Sequence, residues 1–126
     1  MASTVLAPAR ITIVEDDRSL LGALAFALEA DGYHVTTYNE ARRILADPPS
    51  ADCLVVDLKL PDLDGLTLIS QLRERGVTTP AILITTRPDE RCRTAAARAG
   101  VLIVEKPLLD SQLRWAIEAA VLKSRG

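Results

Sequence analysis

The stretch CLVVDLKLPDLDG, residues 53–65, decides the fold. Four apolar residues in a row, Cys53 to Val56, predict a strand that is buried on both faces. Asp57 follows this run directly, and a helix with Leu66, Ile69 and Leu72 on one side is predicted from Asp64 onward. A strand buried on both faces and followed by a helix is typical of parallel α/β sheets.

Strand patterns alternate with helix patterns on both sides of this stretch. The predicted strands cover residues 10–14, 33–38, 53–56, 81–84 and 101–104. The predicted helices cover about residues 18–30, 39–46, 64–75, 88–99 and 109–123. We therefore predict a flavodoxin-like α/β fold, a doubly wound, five-stranded parallel sheet of order 2-1-3-4-5 with five helices.

The composition is that of one ordinary globular domain. The chain has 126 residues, of which 48% are hydrophobic and 25% charged, which argues against disorder. We expect a single domain over residues 1–126, with a core at about residues 10–123 and no output domain in this chain. The charge is nearly balanced, with 15 basic and 17 acidic residues. We therefore expect neither direct nucleic-acid binding nor membrane binding. The segment 20–28 is too short to span a bilayer, and residues 1–10 lack a signal-peptide pattern.

The two cysteines and the single histidine give no sign of a metal-binding, redox or catalytic role. Cys53 and Cys92 are far apart, and their spacing fits neither a metal site nor a redox pair. Both are predicted to be buried, reduced thiols, which favours a cytoplasmic location. His34 falls on a predicted edge strand, where we expect it to be solvated.

Polar residues stand where four of the predicted strands end. Strand 1 leads into Glu15 and Asp16, strand 3 into Asp57, strand 4 into Thr85, and strand 5 into Lys106. In a sheet of the predicted order these ends meet at one edge. Three carboxylates repel one another there unless a cation such as Mg²⁺ binds between them, and a hydroxyl and an ammonium suit phosphoryl oxygens. The set predicts a phosphoryl-transfer site with a carboxylate as nucleophile.

Four motifs match a known family. They are IVEDD at residues 13–17, VVDLKLPDLDG at 55–65, the run from Pro80 to Thr85, and EKP at 105–107. On these motifs the chain resembles the receiver domain of two-component response regulators over about residues 10–123. Within that family it looks most similar to receivers of the nitrogen-fixation regulator type.

The resemblance implies a magnesium site. Asp16 and Asp57 would bind Mg²⁺ directly, and Glu15 would act on the metal mainly through water. The backbone carbonyl of Lys59 would complete the ligands that the protein supplies.

The resemblance also implies a phosphoacceptor that switches shape in signalling and that is not an enzyme acting on external substrates. Asp57 would accept the phosphoryl group from a histidine kinase or histidine phosphotransferase, and the domain would assist its own phosphotransfer and dephosphorylation. Thr85 would bond to the phosphoryl group and move toward it, and Lys106 would pair with it. Pro107 would shape the following loop through a cis Lys106–Pro107 bond.

Three positions depart from the usual family pattern. Ile103 stands where an aromatic residue is common, so a coupled rotation of an aromatic side chain is not expected. Thr86 replaces the small residue that usually follows the switch hydroxyl, which would narrow access to Asp57. Leu108 stands where phenylalanine is common.

Two other functions remain open at this point. One is a pseudo-receiver that serves only as a binding module. The other is an aspartate-nucleophile phosphatase, although such enzymes usually carry a second acid where this chain has Lys59. A stable adduct on Asp57, rapid turnover, or no reaction with acetyl phosphate would separate the three.

Two helices carry apolar residues on faces that should be polar. Trp115, Ala119 and Leu122 recur opposite the predicted core stripe of the last helix, and Phe26 lies opposite that of the first. Loops or helices could shelter these rings, or the rings could form a protein interface. In the family that the chain resembles, helix 1 commonly docks the kinase and helix 5 contributes to dimers. We therefore predict kinase docking or a homodimer through Phe26, Trp115 and Leu122.

The predicted fourth helix has a buried side made of small residues. These residues are Cys92, Ala95, Ala96 and Ala99. Small side chains supply little apolar area to anchor a helix. We therefore predict that it is the most mobile helix and that it suits a switch element biased by Thr85.

Overall fold

Five strands alternate with five helices along the chain. The computed structural model describes residues 7–108 and 111–126. The strands are β1 (Arg10–Val14), β2 (His34–Tyr38), β3 (Cys53–Asp57), β4 (Ala81–Thr85) and β5 (Leu102–Glu105). The helices are α1 (Arg18–Ala30), α2 (Ala41–Ala46), α3 (Gly65–Glu74), α4 (Glu90–Ala99) and α5 (Gln112–Arg125).

All strand pairs in the sheet are parallel, in the order β2-β1-β3-β4-β5. The predicted fold class and strand order are therefore confirmed. Every residue of β3 and β4 is buried, as their uninterrupted apolar runs predict, whereas the edge strands β2 and β5 are partly exposed. His34 is exposed on β2, and Cys53 and Cys92 are buried and free, as predicted.

The helices divide between the two faces of the sheet. Ile13 and Val55 point to the face that α1 and α5 cover. Their neighbours Val14 and Val56 point to the face that α2, α3 and α4 cover. This alternation follows from the period of two along a strand. None of the helices in the described ranges is long and apolar enough to cross a membrane.

Four helices begin one to three residues later than the sequence pattern predicts, among them α2, which begins at Ala41 and not at residue 39, and α3, which begins at Gly65 and not at residue 64. The pattern begins α4 at Pro88, but the helix begins at Glu90, because the Asp89 side chain accepts a hydrogen bond from the Cys92 N–H at 2.7 Å and caps it. The pattern begins α5 at residue 109, and the helix begins at Gln112. Residues 109 and 110 lie outside the described residues.

The buried side of α4 is smaller than predicted. Cys92 and Ala96 are buried, but Ala95 and Ala99 are exposed. The prediction for Ala95 and Ala99 was therefore wrong. The helix touches the sheet along a single row spaced four residues apart, so only one small side chain per turn anchors it.

The first testable prediction concerns the mobility of α4. Amide hydrogen exchange followed by mass spectrometry should be faster in α4 than in α3, because α3 buries larger side chains. The two helices have ten residues each, so their lengths are matched. The side chains that anchor α3 are Leu68, Ile69 and Leu72. Exchange in α4 that is equal to that in α3, or slower, would contradict the prediction.

Candidate functional site

The predicted site residues meet at the carboxyl edge of the sheet. Glu15 and Asp16 follow β1, Asp57 ends β3, Thr85 ends β4, and Lys106 follows β5. These four strands are neighbours in the sheet, so their ends lie side by side. The structure therefore brings together the residues that the sequence analysis selected.

Three carboxylates form the acidic cluster, defined here as Glu15, Asp16 and Asp57. One carboxylate oxygen of each residue lies within 4.8 Å of the others. The Glu15 side chain is fully buried and that of Asp57 nearly so, whereas Asp16 is exposed. Lys106 Nζ lies 2.9 Å from Glu15 Oε1 and 3.2 Å from Asp57 Oδ2. One lysine thus faces three carboxylates, which leaves negative charge uncompensated when all three are ionised.

Burial and crowding raise the pKa of two of these carboxyls. Desolvation is the largest cause for Glu15, and its interaction with Asp57 raises the pKa further. Desolvation, followed by the interaction with Glu15, also raises the pKa of Asp16. Burial alone would lower the pKa of Lys106, but its pairing with Glu15 and Asp57 outweighs this effect and raises it. The lysine therefore stays charged at neutral pH, in a cluster that resists full ionisation.

The residues of the acidic cluster fit a hard divalent cation. Glu15 Oε1 is buried, and among the described residues no donor reaches it with hydrogen-bond geometry, although Lys106 Nζ is close enough to form an ion pair. A buried oxygen of this kind, beside two further carboxylates, suits an ion that prefers oxygen ligands. The Lys59 N–H donates to Asp57 Oδ1 at 3.3 Å, so the Lys59 backbone stays beside the cluster.

The chain returns to the site directly after Asp57. The Gly65 N–H donates to the Leu58 carbonyl at 2.7 Å, and the Leu58 N–H donates to the Ile84 carbonyl at 3.0 Å. A Cβ on Gly65 would overlap the Asp57 backbone carbonyl and lie 2.9 Å from Val56 Cγ1. Only glycine permits this approach. Gly65 lies inside the helix that the sequence pattern predicts over residues 64–75, but that pattern gives no sign of this close approach.

The loop after β4 links Thr85 to the lysine and carries backbone strain. Thr85 is buried, and its carbonyl accepts the Lys106 N–H at 2.8 Å. Arg87 has a positive φ of 50°, a left-handed conformation that is costly for residues other than glycine. The Lys106–Pro107 peptide bond is cis, as predicted.

A family model described as the response regulator receiver domain matches residues 11–118. The chain belongs to this family. The predicted resemblance to receiver domains is therefore confirmed. Receiver domains of response regulators are signalling domains, and the acidic cluster of this receiver domain is the kind of site at which they bind Mg²⁺.

Three curated relatives of this receiver domain carry the name transcriptional regulatory protein FixJ, in line with the predicted nitrogen-fixation type. The protein from Rhizobium meliloti is 34% identical over 113 residues, which cover 87% of this chain and 55% of the relative. The protein from Bradyrhizobium diazoefficiens is 30% identical over 114 residues, which cover 88% of this chain and 56% of the relative. The chain thus spans about half the length of the curated relatives that it matches.

Solved structures of other receiver domains have the same fold. A CheY-like receiver domain protein from Methanospirillum hungatei JF-1 has a TM-score of 0.86 and 25% identity, and the match covers 94% of this chain and 97% of that one. The signal receiver domain of an HD domain-containing protein from Pseudomonas fluorescens Pf-5 has a TM-score of 0.87. It is only 23% identical, with 98% of this chain and 94% of that chain covered, so it supports the fold alone.

The second prediction is that Asp57→Asn stabilises the protein when a chelator removes divalent cations. Removing one of three crowded charges should raise the free energy of unfolding by about 1 kcal/mol, or the melting temperature by roughly 3–5 °C for a domain of this size. The gain should shrink as the pH falls through the raised pKa of Glu15, because protonation removes the same repulsion from the wild type. Thermal melts across the pH range measure both effects.

Asp47→Asn is the matched control for this prediction, because Asp47 is an exposed acid outside the acidic cluster. It should leave the melting temperature unchanged. An Asp57→Asn variant that is no more stable than the wild type in chelator would mean that the cluster tolerates its charge.

Proposed function

We propose that this receiver domain accepts a phosphoryl group on Asp57 and transmits the event by changing shape. The observation that supports this most directly is the position of Asp57, between two further carboxylates and a lysine 3.2 Å away. A nucleophilic carboxylate, a cation site and an ammonium group at one sheet edge are the parts that phosphoryl transfer requires.

The transfer follows from the positions of the residues. A carboxylate oxygen of Asp57 attacks the phosphorus of a phosphohistidine. An O–P bond forms while the P–N bond to the donor imidazole breaks, and the departing nitrogen takes up a proton. Mg²⁺ held by the acidic cluster and the Lys59 carbonyl would supply charge neutralisation at the phosphoryl oxygens. Lys106 pairs with those oxygens, and the Thr85 hydroxyl donates to them from the neighbouring strand.

The change of shape starts at Thr85. When its hydroxyl turns toward the phosphoryl group, the strained loop that contains Arg87 must follow. This loop leads into α4, which only Cys92 and Ala96 anchor by burial. Ile103 is half-buried against the core on the α4 side of the sheet, so no aromatic ring takes part at that position. The signal therefore travels mainly through the β4–α4 loop and the helix that follows it.

The proposed partners are a histidine kinase or histidine phosphotransferase and a second copy of this chain. Three large apolar side chains are exposed on α1 and α5: Phe26 (78%), Trp115 (66%) and Leu122 (73%). The sheltered alternative is therefore wrong for these rings. Exposed aromatic side chains on adjacent helices favour a protein interface. A cytoplasmic location, inferred from the two free thiols, belongs to the same proposal. That the chain works as a single receiver unit stays a prediction.

The third prediction is that labelling by acetyl phosphate occurs at Asp57 alone and needs Mg²⁺. Intact-mass spectrometry should detect one phosphoryl adduct on the wild type and none on Asp57→Asn, because the nucleophile is gone. The Asp47→Asn variant should be labelled like the wild type, since Asp47 is exposed and outside the acidic cluster. Full labelling of Asp57→Asn would refute the proposal that Asp57 is the phosphorylated residue. If the protein releases phosphate from acetyl phosphate without forming an adduct, the result would favour a phosphatase. If it does not react with acetyl phosphate at all, the result would favour a pseudo-receiver that serves only as a binding module.

The fourth prediction is that Trp115→Glu weakens self-association without unfolding the domain. Trp115 is exposed, so its loss leaves the core intact, while the added charge opposes an apolar contact. Light scattering at high concentration, with and without phosphodonor, measures the change. Ala46→Glu adds the same charge to α2, on the other face of the sheet, and should have no effect. A wild type that stays monomeric in both conditions would refute the dimer, and phosphotransfer to Phe26→Ala then tests kinase docking.

A further inference from the structure

Asp62 caps a helix that begins twenty-one residues earlier in the chain. Its Oδ1 accepts the Ala41 N–H at 3.0 Å, and its Oδ2 accepts the Arg42 N–H at 2.8 Å. Glu40, the residue at the usual cap position of α2, makes no capping hydrogen bond and pairs with the side chains of Arg42 and Arg43 instead. The first amides of α2 are therefore satisfied by the loop between β3 and α3.

The helix that Asp62 caps is packed in the core by its first residue and by one large side chain. Ala41 and Ile44 are fully buried and pack in the core on the same face of the sheet as α3. The carboxylate of Asp62 thus connects an exposed loop position to a helix that is packed in the core. Partial burial acts to raise the pKa of Asp62, but hydrogen bonds from the Arg42 and Ala41 amides hold it below its usual range. The group is charged at neutral pH, in the form that binds these amides best.

The loop that Asp62 holds is the one that carries Lys59. Its ends are fixed by the Leu58 hydrogen bond to β4 and by the Gly65 hydrogen bond back to Leu58. Between these ends, among the hydrogen bonds that the structure describes, only those of Asp62 link residues 60–63 to another helix or strand. Leu60 and Leu63 also pack against the core on this face, so the contact of Asp62 with α2 supplies the polar part of the restraint on the backbone that follows Lys59.

We infer that Asp62 is a positioning residue for the magnesium site. By holding the β3–α3 loop against α2, it fixes the backbone of Lys59, whose carbonyl is the proposed metal ligand. The inference rests on the proposed function, because that function assigns the metal to this edge of the sheet. The sequence pattern alone assigns no role to Asp62.

The fifth prediction tests this inference through metal affinity in the unphosphorylated protein. Backbone-amide NMR spectra recorded during titration with MgCl₂ report the dissociation constant, and their dispersion shows that each variant is folded. Asp62→Ala should weaken Mg²⁺ binding about tenfold, at the lower end of the loss typical when a group behind a metal ligand is removed. Asp62→Asn loses the same charge but keeps one of the two oxygens that accept from the Ala41 and Arg42 amides, so its loss of affinity should lie between those of the wild type and Asp62→Ala.

Asp47→Ala removes a negative charge from the other end of α2 and should bind Mg²⁺ like the wild type. Three results would overturn the inference alone: Asp62→Ala binding as tightly as the wild type, the Asn and Ala variants losing affinity equally, or Asp47→Ala losing as much as Asp62→Ala. A wild type without any response to MgCl₂ would refute the metal site of the proposed function, and the inference with it.

Discussion

The crowding of Glu15, Asp16 and Asp57 around the single ammonium of Lys106 is the constraint on which the rest of this structure depends. Like charges at this distance in a partly buried cleft repel one another, so the fold must force them together. The parallel order of the sheet does so by placing the ends of β1 and β3 side by side. The close return of the chain at Gly65 holds the loop after Asp57 against its strand. A cation bound between the three carboxylates would offset this repulsion.

Most of the fold and the main site residues could be predicted from the sequence because both depend on local patterns. The apolar runs of β3 and β4 mark strands buried on both faces, and a parallel sheet gathers the polar residues at its carboxyl edge. The contact of Asp62 with α2 could not be predicted, since it joins residues about twenty positions apart without a sequence signal. The exposure of Ala95 depends on how α4 tilts on the sheet, and alanine is compatible with either side of a helix.

The two faces of the sheet serve different purposes. The face covered by α2, α3 and α4 holds the loops that shape the site and the helix α4, which buries only Cys92 and Ala96. The face covered by α1 and α5 carries the exposed rings of Phe26 and Trp115 over a well-filled core. A conformational change on the first face therefore need not disturb the packing on the second.

The exposure of Trp115 also has a spectroscopic consequence. It is the only tryptophan in the chain, and two-thirds of it is accessible to water in the folded state. Its intrinsic fluorescence should already resemble that of a solvated indole, so unfolding will change the emission little. A shift of that emission to shorter wavelength will instead report the arrival of another molecule on α5. The fluorescence of Trp115 is therefore expected to report docking on α5 while responding little to denaturation.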